Sequence, residues 1–327
     1  MSRIEKIKIE QAIGKTLIHD ITLIDIKQKL KGPIFRKGHI IQEQDIEKFK
    51  QLGKEHVYTI NLSAGEIHED DAAIELAKSL MGKGTYRDEY PSEGKINIYA
   101  CFKGLTKINR EKLLQFNLLK IPSCPTLVSN KIVKKGQKIA SVRIIGLYTL
   151  KKTIERARKI VEGGIISVKP FLKEKIGIIA TGNEVFYKKI EDTFTPRLKE
   201  RLMKTYDSKI LYTSKAPDKK DLIKKEIERA VHIGCEVILI TAGTSVDPDD
   251  VTFKVIREMS EDFSRGVPLQ PGNYLSVGYI KDIVILGVPA GAVYSSKSSL
   301  DFILPRILTG EKMSKREIYE LGYGGLL

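Results

Sequence analysis

Ile238-Leu-Ile-Thr-Ala-Gly-Thr-Ser-Val-Asp-Pro-Asp-Asp-Val-Thr252 decides the reading of this chain. An apolar β-run stops at small residues, a turn rich in carboxylates follows, and a helical pattern opens at Val251. That order places an anion-binding loop at the carboxyl end of a parallel strand, where helix N–H groups point at the ligand. Asp247, Asp249 and Asp250 add something a plain phosphate cradle lacks, because carboxylates repel phosphate unless a cation sits between them. The stretch therefore predicts a phosphorylated ligand together with a hard cation such as Mg²⁺, held mainly by oxygen atoms.

Outward from this loop, the sequence from Lys175 alternates between strand and helix patterns. Lys175–Thr181, Ile210–Thr213 and Glu236–Thr241 read as strands. Pro196–Tyr206, Asp218–Ile233, Val251–Met259 and Ser298–Leu308 read as helices, and Tyr274–Leu286 reads as a hairpin around Lys281-Asp282. Such alternation predicts a three-layer α/β/α domain with a mostly parallel sheet. The first half predicts smaller units, a β-rich one over residues 1–62 and an α+β one over 63–168. In it, Ile18–Leu30 reads as extended, Lys31-Gly-Pro33 as a turn, and Gln44–Leu52 as a helix. Asp70–Met81 and Thr149–Glu162 also carry helical spacing. The main boundary is expected after Gly163-Gly164 and before Lys169-Pro170, so that the α/β/α domain spans 169–310 and a tail spans 311–327.

The 327 residues hold 42% hydrophobic and 30% charged residues, which suits a globular protein of two or three domains. The apolar runs are too short to span a bilayer, and the N-terminal residues lack the apolar core of a signal peptide. Cys101, Cys124 and Cys235 are isolated and have no paired spacing for zinc or disulfide chemistry, so the expected setting is a reducing cytoplasm. The net charge of +15 comes from lysines interleaved with glutamates along the chain, and there is no Trp. No aromatic-rich basic motif is present, which argues against a nucleic-acid reader. A lysine-rich solvated surface accounts for the charge.

Four segments of the C-terminal half are expected to follow strands and to fall on one sheet edge: Ala180-Thr-Gly-Asn-Glu-Val185, Glu191-Asp-Thr-Phe-Thr-Pro196, Thr241–Thr252 and Gly287-Val-Pro-Ala-Gly291. Each alone has an ordinary explanation as a tight turn, a helix cap or a strand end. Their convergence of glycines, hydroxyls and carboxylates is what a phosphate-and-metal site needs.

In order and spacing, these segments resemble the molybdopterin-binding domain shared by molybdopterin adenylyltransferases, molybdopterin molybdenumtransferases and gephyrin. The resemblance covers roughly residues 175–310. It implies binding of molybdopterin or adenylyl-molybdopterin with Mg²⁺, and a molybdopterin molybdenumtransferase-like role in molybdenum cofactor biosynthesis. On this resemblance Asp192 and Asp250 match the functional, metal-holding carboxylates, and Glu184 matches the acid of the Thr-Gly-x-Glu motif. Thr181 and Gly182 belong to that same motif. Gly243, Thr244 and Ser245 match the loop holding the pterin or phosphate end. Pro271 with Gly272, and Pro289 with Gly291, match the remaining ligand-side loops. An elongated homodimer is also implied.

Two departures stand out. The family's Pro-Gly-Lys-Pro is Pro271-Gly-Asn-Tyr274 here, so a phosphate-binding lysine is missing, and the N-terminal Met-Asp-Gly-Tyr-Ala motif has no match. The N-terminal half instead resembles that of a little-characterised group of molybdopterin-binding-domain proteins. Two other roles stay open: a non-catalytic carrier or sensor of molybdopterin or a nucleotide, and a nucleotide pyrophosphatase of the competence-damage type. Outside this region, His68-Glu-Asp-Asp71 reads either as a metal cluster or as a helix N-terminus capped by Asp70 or Asp71, and the capped helix is the commoner arrangement.

Overall fold

The computed structural model of the chain describes residues 3–15, 17–25, 30–35, 37, 39–241 and 251–327. Gly243, Thr244, Ser245 and Asp250, together with Asp247 and Asp249, lie outside the described residues. The chain divides into two compact units: residues 1–101, 108–127 and 135–167, and residues 102–107, 128–134 and 168–327.

In the first unit an antiparallel pair, Arg3–Lys8 with His56–Asn61, and the helix Asp45–Gln51 accompany a small core of Ile9, Leu17, Ile41, Phe49 and Val57. Lys31-Gly-Pro33, expected as a turn, instead lies inside the strand Leu30–Phe35, where Thr22 pairs with Pro33 and Leu23 with Gly32. A proline is tolerated there because the ribbon has only two strands, and one side of each strand needs no N–H donor. The rest of this unit holds a four-stranded antiparallel sheet, the helices Glu69–Leu80, Arg110–Asn117 and Lys151–Ile160, and the antiparallel pair Glu66–His68 with Tyr148–Leu150. Leu76, Ala77 and Leu80 of the first helix are fully buried, as are Ile96, Ile98 and Val142 of the sheet.

The second unit is built on a six-stranded sheet. Its elements are β1 (Lys175–Thr181), α1 (Asn183–Phe186), α2 (Phe194–Tyr206), β2 (Lys209–Ala216), α3 (Lys220–Ile233) and β3 (Val237–Thr241). There follow α4 (Val251–Met259), β4 (Asp262–Arg265), β5 (Ser276–Ile280), β6 (Ile283–Val288), α5 (Ala290–Tyr294) and α6 (Leu300–Leu308). The strand order is β2-β1-β3-β6-β5-β4. The first four strands are parallel, and β5 and β4 add antiparallel, with Lys281 in the left-handed region at the β5–β6 turn.

Strand alternation sends side chains to both faces, and helices cover each face. Ile176, Ile178, Val237, Leu239 and Leu286 pack with Leu198 and Leu202 of α2 and Ile303 and Ile307 of α6. Ile179, Ile238, Ile240 and Ile285 pack on the other side with Ile223 and Ile227 of α3 and Val255 and Ile256 of α4. These strands are apolar on consecutive residues because neither face meets water. Each such side chain contributes about 1.5–3 kcal/mol by leaving water.

One irregularity bears on the site. Ile176 pairs with Ile210, but the next pair is Gly177 with Tyr212, so Leu211 is an extra residue in β2. From Tyr212 onward the side chains of β2 therefore exchange faces.

Candidate functional site at the sheet edge

In the order β2-β1-β3-β6, the chain leaves β1 in one direction for β2 and crosses to the other side for β3. The crevice at the carboxyl ends of β1 and β3 is the switch point at which open α/β sheets bind ligands. Thr181 ends β1 and Thr241 ends β3, and the register aligns Ala180 with Thr241, Thr181 with Ala216, and Thr241 with Val288. The segments at residues 180–185 and 287–291, and the start of the segment after β3 at Thr241, thus lie on one edge. The Glu191–Pro196 segment differs from expectation in following the short helix α1 rather than a strand.

The Thr181–Glu184 turn is held from within. The Thr181 hydroxyl, fully buried, meets the Thr252 hydroxyl at 2.9 Å and donates to the Thr241 carbonyl at 3.2 Å. Thr252 lies in the first turn of α4, so these contacts tie the end of β3 and the start of α4 to β1. Gly182 has φ 131°, a conformation that disfavours any side chain, and its N–H donates to the Ala216 carbonyl at 3.1 Å. The Asn183 N–H donates to Asp218 Oδ2 at 2.9 Å, and the Asp218 N–H donates to Asn183 Oδ1 at 3.2 Å. This reciprocal pair staples the turn after β1 to the turn after β2. Glu184 sits exposed in α1.

Asp192 is close to buried, its side chain only 8% exposed. Its Oδ1 accepts the Thr195 N–H at 3.0 Å in the first turn of α2, and its Oδ2 lies 3.7 Å from the Lys215 ammonium. The 191–196 segment also meets α5: Thr193 hydrogen-bonds to the Tyr294 hydroxyl, and Phe194 packs edge-on against the Tyr294 ring. Arg197 lies 4.5 Å over the same ring.

Pro271, Gly272, Pro289 and Gly291 come together as a third cluster. Pro271 follows a cis peptide bond, and a Cβ built on Gly291 would lie 3.8 Å from Pro271 Cβ. Gly272 has φ 105°, and a Cβ there would come within 2.2 Å of Ser299 Oγ, which itself donates to the Gly272 carbonyl at 2.8 Å. Below this cluster, Arg201 donates to the Ala292 carbonyl and pairs with Asp301, while Asp301 accepts the Ser298 N–H at 2.7 Å.

Lys215, Asp218, Tyr294 and Ser299 were not among the expected site residues. Only Asp218 had a legible signal, since Ala216-Pro-Asp-Lys219 after a β-run is a turn at the same edge. Lys215 shares a face with Asp192 only because of the extra Leu211, and nothing in the sequence marks that bulge.

The His68-Glu-Asp-Asp71 cluster of the first unit is a helix start, and the cap is His68 rather than Asp70 or Asp71. His68 Nδ1 accepts the Asp70 N–H at 3.2 Å. Ligand atoms of His68, Glu69 and Asp70 lie within 4.8 Å of one another, but the Lys37 ammonium touches both His68 Nδ1 and Asp70 and so supplies the local cation. Burial, reinforced by Lys37, pushes the His68 pKa down to about 4, and burial with the neighbouring Asp70 pushes Glu69 up.

Two parts of the chain match known families, and one of them takes in this edge. Residues 177–309 match the family described as a probable molybdopterin binding domain, and residues 6–61 match a domain of unknown function. A protein of Methanocaldococcus jannaschii described as a molybdopterin biosynthesis protein is 31% identical over 109 residues, or 32% of this chain. The chain spans only 27% of the length of that curated relative. The molybdopterin biosynthesis enzyme MoaB of Thermus thermophilus is 22% identical, with 43% of this chain and 99% of that one covered and a TM-score of 0.36. The tungsten cofactor synthesizing protein MoaB of Pyrococcus furiosus is 21% identical, with 41% and 92% covered and a TM-score of 0.35. The likeness to the probable molybdopterin binding domain is thus confined to the α/β/α unit of this chain. Among the described residues no helix is long and apolar enough to cross a membrane.

Proposed function

We propose that this chain binds molybdopterin or adenylyl-molybdopterin at the carboxyl edge of β1 and β3, as a molybdenum cofactor biosynthesis protein. The observation that carries this reading is that the family match over residues 177–309 takes in the whole switch-point edge, with the clusters around Thr181, Asp192 and Gly272. The hydroxyl of Thr181 and the N–H groups of Gly182 and Asn183 are already spent inside the fold. Their part is to hold the edge. Ligand contacts then fall to the segment between Thr241 and Thr252 and to the loops at Gly272 and Gly291.

Mg²⁺ wants several oxygen ligands, usually carboxylate together with phosphate or water. Among the described residues, the edge carboxylates Asp192 and Asp218 are engaged, by Lys215 with the Thr195 N–H and by the Asn183 N–H, and Glu184 stands exposed in α1. They do not by themselves make a magnesium site, so the metal part of the proposal rests on Asp250. Asp250→Asn should abolish any Mg²⁺-dependent gain in affinity, and an undiminished gain removes Asp250 from the site.

Engaged carboxylates, and Asn273 in place of a lysine after Pro271-Gly272, favour a second reading in which the chain carries its ligand without turning it over. Mass spectrometry of the full-length protein purified from a molybdopterin-producing host tests the ligand itself. A bound pterin supports the reading, and a nucleotide without pterin overturns it. Incubating the loaded protein with molybdate or ATP then separates transferase from carrier. Assembly as a homodimer belongs to the same proposal.

A further inference from the structure

We propose that Lys215 is the cation that fixes the phosphate end of the ligand, with Asp192 as its positioning partner. This deepens the phosphorylated-ligand reading above and rests on it.

A phosphate bound beside acidic side chains needs a fixed positive charge, and a lysine ammonium is a common way to supply one. The position after Pro271-Gly272, where the resemblance leads one to expect such a lysine, holds Asn273. Lys215 stands at the end of β2, beside Ala180 and one residue short of the Thr181–Ala216 pair. Without the extra Leu211, Lys215 would lie on the α3 side of the sheet. With it, the side chain shares the α2 and α6 face with Asp192. Bulges beside functional sites commonly re-aim one side chain in this way.

The two partners are unequal in the way positioning requires. Asp192 is 8% exposed and is fixed by the Thr195 N–H, whereas Lys215 is 46% exposed. At 3.7 Å the ammonium is held by charge rather than by a hydrogen bond to that oxygen. It can therefore turn its N–H donors to an incoming phosphate while the carboxylate keeps it at the edge. Three further cations near this face have different work: Arg201 is tied to Asp301 and the Ala292 carbonyl, Arg197 covers the Tyr294 ring, and Lys297 lies over the Phe302 ring.

The test measures binding of three probes to the full-length chain by equilibrium dialysis: molybdopterin, the same pterin with its phosphate removed, and inorganic pyrophosphate. Lys215→Met should weaken molybdopterin and pyrophosphate by about 10- to 100-fold, the range of one charged hydrogen bond, and leave the dephosphorylated pterin unchanged. Lys215→Arg should recover most of the loss. Asp192→Asn should alter molybdopterin affinity in the native background and have no effect once Lys215→Met is present. Equal molybdopterin affinity in Lys215→Met and native protein overturns the role of Lys215. An Asp192→Asn effect of the same size in both backgrounds overturns the partnership. Lys215-dependent pyrophosphate binding without pterin binding leaves Lys215 in place and removes only the molybdopterin reading. Native protein that binds none of the probes removes both.

Discussion

Acidification should weaken the first unit through His68, by an amount that can be worked out from its surroundings. The residue is 7% exposed, caps the Glu69–Leu80 helix with Nδ1 and touches the Lys37 ammonium, all of which favour a neutral imidazole. Its pKa falls from the ordinary 6.5 to about 4 on folding, because of burial first and Lys37 second, against the opposing pull of Asp70 and Asp71. Above pH 6.5 neither the folded nor the unfolded chain protonates this ring, and the native arrangement keeps its full stability. Between pH 6.5 and 4 the unfolded chain binds the proton and the folded chain refuses it, so stability falls as pH falls. Below pH 4 both states are protonated and the loss is complete. A gap of about 2.5 pH units at about 1.4 kcal/mol each amounts to about 3.5 kcal/mol in full, of which about 3 kcal/mol is lost by pH 4, where the folded ring is half protonated. Asp45, Glu311 and Glu317 also lose native stabilisation in acid, so the native protein alone is not diagnostic. His68→Asn isolates the effect, since asparagine is a good N-cap that does not titrate. Urea denaturation followed by circular dichroism, at pH 7.5, 6, 5 and 4, gives the stability difference between the two proteins. That difference should shift by about 3 kcal/mol in favour of the variant between pH 7.5 and 4. A difference that stays constant with pH would mean that His68 does not titrate as a buried cap and would refute the reasoning.

Glu311 faces Lys107, Arg306 and Lys169 within 3.2 Å, and these cations outweigh its burial to hold its carboxyl below the usual range. Glu311→Gln leaves three cations without their shared anion and should cost about 3 kcal/mol in urea denaturation at pH 7, shrinking as pH falls through the depressed carboxyl value. Gly272→Ala should destabilise the second unit by about 1–3 kcal/mol in thermal unfolding, because a Cβ meets Ser299 Oγ at 2.2 Å in a conformation that already disfavours side chains. Light scattering at micromolar concentration should give the mass of a homodimer, and a clean monomer would remove that part of the proposal.

The layers of the second unit were legible because its strands are buried on both faces. Ile176–Ile179, Val237–Ile240 and Ile283–Leu286 are near-continuous apolar runs, and helical patterns separate them. In the first unit the strands are short and the signals local. Lys31-Gly-Pro33 obeyed turn chemistry yet paired as a strand. At residue 68 the rule that acids crowd a helix start held for Glu69, Asp70 and Asp71, but the cap itself went to the histidine.

The site shows where composition stops being informative. Thr181, Gly182 and Asn183 carry the motif that makes the edge recognisable, yet their donors are turned inward to Thr241, Ala216 and Asp218. A short motif can be invariant in purpose without touching a ligand, because the strand ends it joins must meet at a fixed distance. Lys215 is the reverse case: it belongs to no motif, and in the sequence it is one lysine among many. Its position depends on a single unpaired residue, Leu211, four places earlier in the strand. Period-two alternation alone would assign Lys215 to the face of α3, so one bulge changes which side of the sheet carries the charge. The ammonium beside Asp192 thus reaches the edge from the end of a strand rather than from any of the four loops.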